Sequence, residues 1–536
     1  MKQNKLLTTY ITLILTLGAT GLTANTAFAK EENGPEVPVS LETRTLIQLA
    51  AEGKTGPVRK ILNPQNINQA NKAGNTPLHA AAVNGRNEMV KLLISQGARL
   101  NIKNNKGSTA MLMAAEAGHA DTVSLLLDAG AQLRIEDDEG ANAMILAAYE
   151  GHLDVVKLLI DNGLELNATD DDGATALINA LLGEQSEVAR YLINAGADLR
   201  IQDEYDNTAL LVAAQHNDTE TVKLLMKKGV DIGSTDSMNN QGLIYAIWKD
   251  NRELIDLYLD NGASIESTFV NNSRPLMVAA SLGNTDLVEY FIEKGADIEA
   301  RDTSKSTALL YAARKNQADV VDVLIKHGAK VDALDDFDRT PLIIAASLGN
   351  VESVHALVRA KADINHQDKS ERTALYWATD KEHSDTVHYL LEHRANPDLA
   401  ETKGLTPLMR ASMHGNIEMA KDLIEHKADI NAKSRGDVNA LIFASLSGKT
   451  KLVEYLLQQK PDLEAHDVNG RTAIFYAGGR GFPRITALLI NAGIDVNRVD
   501  IHGKTPLDYA YENNKTTIIA VLKDHGGRTA AEVKKA

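Results

Sequence analysis

One spacing constrains this chain more than any other feature. Stepping 33 residues at a time from Leu78, the sequence reads Leu78, Met111, Met144, Leu177, Leu210, Leu243, Leu276, Leu309, Leu342, Leu375, Leu408, Leu441, Ile474 and Leu507. Fourteen large aliphatic residues stand in phase, with no insertion from Asn71 onward. A period of this length marks stacked supersecondary units, each unable to bury its apolar side alone. The 536 residues are far more than one ordinary core needs, and tandem stacking accounts for the excess.

The residues around each aliphatic position spell out the unit. Two residues upstream stand Thr76, Thr109, Asn142, Thr175, Thr208, Thr307, Thr340, Thr373, Thr406, Asn439, Thr472 and Thr505. Thr and Asn side chains accept the free backbone N–H groups at a helix start. Pro77, Pro275, Pro341, Pro407 and Pro506 follow at the first helical position, where a missing N–H costs nothing. Gly85, Gly118, Gly151, Gly283, Gly349, Gly415, Gly448 and Gly481 then stop the first helix. A second amphipathic segment follows, such as "NEMVKLLISQ" or "LDVVKLLIDN", and ends at a second glycine series from Gly97 to Gly328.

The predicted unit is therefore helix, turn, helix, loop. Helices of about 8–10 residues are marginal in isolation, so stability has to come from neighbours. Aromatic content is only 4%, so the core is expected to be aliphatic. Ala80, Ala81 and Ala82 would let adjacent units approach closely.

The segments "GNTPLHAAAVNG", "DRTPLIIAASLG", "GLTPLMRASMHG" and "GKTPLDYAYENN", each ahead of an "LLISQGA"-type second helix, resemble the ankyrin repeat family. The resemblance implies an all-α solenoid of stacked helix–turn–helix units with short hairpin-like turns. It gives fourteen units over 71–529, the last a C-terminal cap, preceded by a degenerate capping unit over 41–70 and followed by a tail, 530–536. Two departures stand out. The unit Asp236–Thr268 has Gln241 at the cap and Asp250 at the turn, and is expected to be the softest internal point. Lys361, Arg394, Lys427 and Lys460 replace the second glycine, at a cost of about 1 kcal/mol each if the left-handed backbone is kept.

The start of the chain suggests a route out of the cytoplasm. Lys2 and Lys5 precede the apolar run "LLTTYITLILTLGATGLTA", and "AFA" places small residues at a cleavage site, so 1–29 reads as a signal peptide. The Glu- and Pro-rich stretch 30–40 reads as a flexible linker. No later run is apolar and long enough to span a bilayer. The expected location is the periplasm of a bacterium, with full secretion as the alternative, and no stable membrane insertion after cleavage.

Chemistry is sparse. Without cysteine there is no disulfide, thiolate metal site or thiol nucleophile. A formal charge of -16 argues against nucleic acid as a partner. His383, His388 and His393 are spaced by five, which does not align ligands on one helical face. His119 and His152, just past the turn glycine, read as local hydrogen bonders. "YAGGRGFPR" (Tyr476 to Arg484) lacks the Lys-Ser/Thr of a phosphate loop, and Gly478 and Gly479 suggest a loosened helix end. No nucleophile elbow or zinc-hydrolase motif is found. No cofactor, metal or catalytic residue is expected.

In the ankyrin family the turn residues and the end of the first helix commonly face the partner, and the resemblance carries that surface onto this chain. Early units place Glu139, Glu150 and Asp172 there; middle units place Tyr149, Tyr205, His216, Met238 and Trp248; later units place Arg314, Lys315, Phe337, Arg339 and Arg372. The expected function is a monomeric, non-catalytic scaffold that binds a protein along an acidic, then aromatic, then basic surface, anchored at Tyr205 and Trp248. Two alternatives remain open: a secreted effector engaging a host protein, and an accessory subunit of a periplasmic enzyme.

Overall fold

The computed structural model describes residues 40–236 and 241–535. The segment read as a signal peptide and nearly all of the linker lie outside the described residues, as does Met238. The described chain is helical, with no β-structure beyond isolated bridges such as Thr169–Thr175. From Pro77 onward every repeat has a first helix of 7 or 8 residues and a second of 9 or 10.

The aliphatic series forms the spine: all fourteen members are 3% exposed or less. Ala80, Ala81 and Ala82 are fully buried, and within each unit first helices of neighbouring repeats such as Pro77–Val83 and Ala110–Glu116 pack side by side, as do second helices such as Ala318–Lys326 and Val351–Arg359. Cap chemistry follows the sequence at most repeats. The Thr109 hydroxyl accepts from Leu112 N, Thr340 from Ile343 N and Asn439 Oδ1 from Ile442 N. Thr307 and Thr472 occupy the cap position without making that bond.

The turn glycine answers two demands at once. Gly118 has φ 78°, and a Cβ there would fall 2.4 Å from His152 Nδ1 of the next repeat. That imidazole lies across the turn with Nε2 2.9 Å from the Glu116 carbonyl. His119 reaches Val83 O at 3.1 Å and His383 reaches Ser347 O at 3.3 Å in the same way. These histidines are inter-repeat staples. At the second glycine position, Lys361, Arg394, Lys427 and Lys460 keep the left-handed backbone, with φ 65°, 69°, 70° and 55°.

The chain divides into two compact units, Met1–Tyr245 and Ala246–Ala536. The division falls inside the repeat Asp236–Thr268, where the cap and turn residues are poorest.

Within the first unit, the tips of successive turns are tied by backbone bonds: Asn105 N to Ala73 O at 3.0 Å, Asp138 N to Lys106 O at 3.1 Å, Asp171 N to Glu139 O at 3.1 Å and Glu204 N to Asp172 O at 2.8 Å. Helices Leu41–Ala51 and Thr55–Ile61 precede these repeats, and the Thr43 hydroxyl donates to Gln69 Oε1 at 2.5 Å.

Within the second unit, the same ladder runs from Thr303 N bonded to Asn271 O at 2.9 Å to Ile501 N bonded to Asn469 O at 3.0 Å. A parallel series joins the loops after the second helices. Asp363 N donates to Asp332 Oδ1 at 3.0 Å and Asn396 N to Asn365 Oδ1 at 2.8 Å, each across 31 residues.

Two local expectations are corrected. The helix Ala473–Arg480 continues through Gly478 and Gly479 and ends at Gly481, φ 86°. It is not loosened: Gly478 is buried, and Gly481 N and Phe482 N both donate to Ala477 O, at 3.1 and 2.9 Å. Phe482 packs into the slot that the stapling histidines fill elsewhere: a Cβ on Gly448 would meet its ring at 2.8 Å. The segment after Thr529 is not a bare tail either. Ala530–Val533 forms a capped helical turn, and Ala530 N donates to Asp508 Oδ2 at 2.9 Å.

Candidate functional site

Each unit presents a face made of its turn tips and the adjoining first helices. The two faces have different chemistry.

A recurring device builds them. In most repeats an acidic or amide residue five positions before the cap turns its side chain under the tight turn; Ser434 does the same before Asn439, its hydroxyl accepting from Val438 N at 3.2 Å. Asp368 Oδ1 accepts from Ser370 N at 2.8 Å and Arg372 N at 3.0 Å. Its Oδ2 accepts from Trp377 Nε1 at 2.8 Å, nine residues on, along the first helix. The turn is thereby pinned to the helix, and the carboxylate is occupied internally.

On the first unit this face is acidic. Glu139 and Asp172 are exposed at turn tips. Tyr149, 47% exposed, ends the helix Ala143–Tyr149, and Glu150 follows as its C-cap. Burial raises the Glu116 carboxyl above its ordinary range, and the Glu150 charge adds to the rise. Asp172 is raised too, first by desolvation and then by Glu204, Asp170 and Asp171. Tyr205 stands at a turn tip, with its backbone N–H bonded to Asp203 Oδ1 at 2.9 Å. His216 caps the helix Ala209–Gln215, with Nδ1 3.3 Å from Glu184 Oε1.

On the second unit the face is aromatic, with cations interleaved among the exposed acids Glu371, Glu382 and Asp437. Trp248 ends the helix Gly242–Trp248 and is 46% exposed. Arg314 lies over the Tyr311 ring, 5.4 Å from its centre, and Lys315 follows as the C-cap. Phe337, 60% exposed, is a turn tip flanked by Arg339, which pairs with Asp335 through Nη2 at 2.7 Å. Arg372 lies over Trp377, 4.8 Å from the ring centre.

Sequence reasoning missed one row of this face. Two residues past the aliphatic series stand Tyr311, Ile344, Trp377, Arg410, Phe443, Tyr476 and Tyr509 in consecutive repeats. Tyr311 donates to Asp302 Oδ2 at 2.9 Å, Tyr476 to Asp467 at 2.6 Å and Tyr509 to Asp500 at 2.8 Å. Burial, and then the Asp467 bond, push the Tyr476 hydroxyl up to about 12. The same register in the early repeats reads Ala80, Met113, Leu146, Asn179 and Val212. Comparing the columns would have shown the change.

No group of three or more His, Asp or Glu poised for a metal occurs among the described residues. His388 is 3.1 Å from Asp422, and His393 is 2.8 Å from Tyr389 O, so each has a local partner. No helix among the described residues is long and apolar enough to cross a membrane.

Stacked short helix pairs, tied by turn ladders and displaying a lined face, define a tandem-repeat scaffold. The family model described as "Ankyrin repeats (3 copies)" matches residues 29–104, 46–137, 90–170, 114–203, 144–236, 196–269, 243–335, 276–368, 342–434 and 441–532. The chain belongs to the ankyrin-repeat family. No curated protein sequence matches it. Ankyrin repeats are generally protein–protein interaction modules, and proteins built of them are typically non-catalytic.

Proposed function

We propose that this chain is an exported, monomeric, non-catalytic scaffold that binds a protein partner on its turn faces. The export reading rests on the basic start, apolar run and small-residue site within 1–29. The observation that carries the binding reading is exposure. Tyr149, Tyr205, Trp248 and Phe337 are 47%, 44%, 46% and 60% exposed, all at turn tips or first-helix ends. Large aromatic side chains held in water on a rigid frame are typical interface anchors.

The test is an affinity capture with the processed chain from periplasmic extract and, separately, from culture supernatant. A Tyr205→Ala/Trp248→Ala variant should keep its helical circular dichroism and lose the captured protein. Undiminished capture would remove the anchor assignment. Recovery from supernatant alone would favour a secreted effector.

A further inference from the structure

We propose that the turn face of the three repeats between Asp137 and Asn217 docks a partner segment carrying Lys or Arg with apolar side chains between them. The inference rests on the reading of the turn faces as protein-binding surfaces and names the partner's chemistry on the first of them.

Three observations carry it. First, the face holds one sign of charge. The stretches 137–151, 170–184 and 203–217, which run from turn through first helix, contain no Lys or Arg. Asp137, Asp170 and Asp203 are spent beneath the turns, on Ala141 N, Ala174 N and Asn207 N. Glu139, Glu150, Asp171, Asp172 and Glu204 remain, exposed and without an ion pair among the described residues. The arginines of the intervening loops are turned to other acids: Arg134 pairs with Glu165 and Arg200 with Asp198. Desolvation, and then Glu204, Asp170 and Asp171, raise the Asp172 carboxyl, so the acids press on one another.

Second, apolar side chains stand exposed among those charges. Tyr149 and Leu182 end the first helices Ala143–Tyr149 and Ala176–Leu182, which pack side by side, and Leu182 is 38% exposed beside the exposed tyrosine. Third, Gly183 lets the two helix ends meet. Its φ is -78°, open to any residue, so the backbone does not call for glycine there. A Cβ would run into the Tyr149 carbonyl. Ala117, Glu150 and His216 hold the same position in neighbouring repeats.

Together these select a polypeptide. A metal ion or a polyamine would use the carboxylates and leave Tyr149 and Leu182 in water. A Lys- or Arg-bearing chain with apolar residues between its cations covers both, and its cations also find the Tyr149 ring. The matching stretches of the second unit mix both signs, as with Glu371 beside Arg372, so the selection belongs to the first unit. Stacked helices lie roughly 8–10 Å apart, about three residues of extended chain, so a cation at every third residue meets one acid group per repeat.

The test uses the full processed chain and labelled peptides in fluorescence anisotropy. The probes are a Lys-Pro-Leu repeat, a Lys-Pro-Ser repeat of equal length and a Glu-Pro-Leu repeat, with spermine as competitor. Lys-Pro-Leu should bind tightest and should weaken with salt. Asp172→Asn/Glu204→Gln should weaken it at least about tenfold. Leu182→Ser should cost Lys-Pro-Leu affinity and leave Lys-Pro-Ser unchanged, with helical circular dichroism retained in both variants. Four results would overturn the proposal: no binding of Lys-Pro-Leu, equal binding of either other peptide, parental affinity in Asp172→Asn/Glu204→Gln, or full displacement by spermine at equal charge. The last would leave only a general counter-ion surface. Photocrosslinkers at Leu182 and, separately, at Phe337 distinguish this inference from the reading beneath it. Protein crosslinked at Phe337 alone, or at Leu182 through a segment without Lys or Arg, sinks the inference and leaves the scaffold reading standing. No crosslinked protein from the native compartment at either position sinks both.

Discussion

The Tyr509 hydroxyl donates to Asp500 Oδ2 at 2.8 Å, while Asp500 Oδ1 accepts from His502 N and Lys504 N, both at 2.9 Å. One carboxylate thus ties a turn to the helix that follows it. Its side chain is fully buried, and Oδ2 also faces Arg471 Nε at 3.5 Å, so a lost phenol donor is replaced only by that longer contact. Tyr509→Phe is expected to destabilise the last repeats by about 1–3 kcal/mol. Tyr476→Phe should do the same one repeat earlier. Faster hydrogen exchange at His502 and Lys504 amides would report it. Unchanged exchange would show that the phenol is not what holds the turn.

Tyr258 makes the opposite case. It is fully buried on the helix Arg252–Asp260, and its hydroxyl has no hydrogen-bond partner among the described residues. Burial raises its phenol well above the ordinary range. Phe291 fills the same register position in the next repeat. Tyr258→Phe is expected to stabilise its repeat by on the order of 1 kcal/mol, since a buried unpaired hydroxyl is removed at equal shape. Slower exchange in that helix is the readout; faster exchange would reveal a hidden partner for the hydroxyl.

The repeat register, the cap residues and the left-handed stops were legible because each is local and recurs. Lys361 could be assigned a positive φ from its place in the glycine series alone. The pairing of Asp467 with Tyr476 was not legible. It depends on the direction in which the loop folds back, which spacing does not state. The Gly478–Gly479 helix was misread for a related reason. Local propensity favours fraying there, while packing decides the outcome: Gly478 is buried, and a Cβ on it would meet Ile518 of the last repeat at 3.5 Å. The candidate residues on turn tips could be placed from the family register, but the committed state of Asp368 beneath Arg372 could not. The charge of a face depends on which acids are turned inward.

Gly118 is constrained by both backbone and neighbour. Alanine there would adopt φ 78° and bring Cβ to 2.4 Å from His152 Nδ1. The left-handed backbone alone costs about 1–2 kcal/mol for a residue with Cβ, and displacing the imidazole adds the loss of its contact with Glu116 O. Gly118→Ala should therefore cost more than Lys361→Ala, where no glycine is lost. In Gly118→Ala/His152→Ala the two effects should sum to less than their separate values, because they share one contact. Strict additivity in chemical denaturation would show that the staple does not bear on the turn.

Lys361 supplies the complementary substitution. Its φ is 65°, with Lys361 N bonded to Val358 O at 3.0 Å and Ala362 N to Leu357 O at 3.1 Å. Glycine relieves the side-chain strain of this geometry and gives back part in unfolded-chain entropy. Lys361→Gly is expected to stabilise by about 0.5–1 kcal/mol. The same change at Lys427 should match it, and the pair should add, since the two sites lie in different repeats. A loss of stability would mean that the lysine stem contributes packing beyond its backbone strain.

Glu116 gives the pH dependence of the first unit a sign. Burial raises its carboxyl, and Glu150, Asp137 and Glu139 raise it further against the opposing Lys106 charge. The folded state therefore holds the proton more tightly than the unfolded chain, whose value is about 4.3. The stability from this group is fully present below the unfolded value and is lost as pH rises through the folded one. Glutamine mimics the protonated form at every pH. Glu116→Gln should thus slow exchange in the helix Ala110–Glu116 at pH 7, and the difference from the parent should shrink toward zero near pH 4. Comparing variant with parent at each pH removes the opposite contribution of His79, which burial holds below its ordinary value. A variant less stable than the parent at pH 7 would show that the Glu116 charge is compensated in the folded protein.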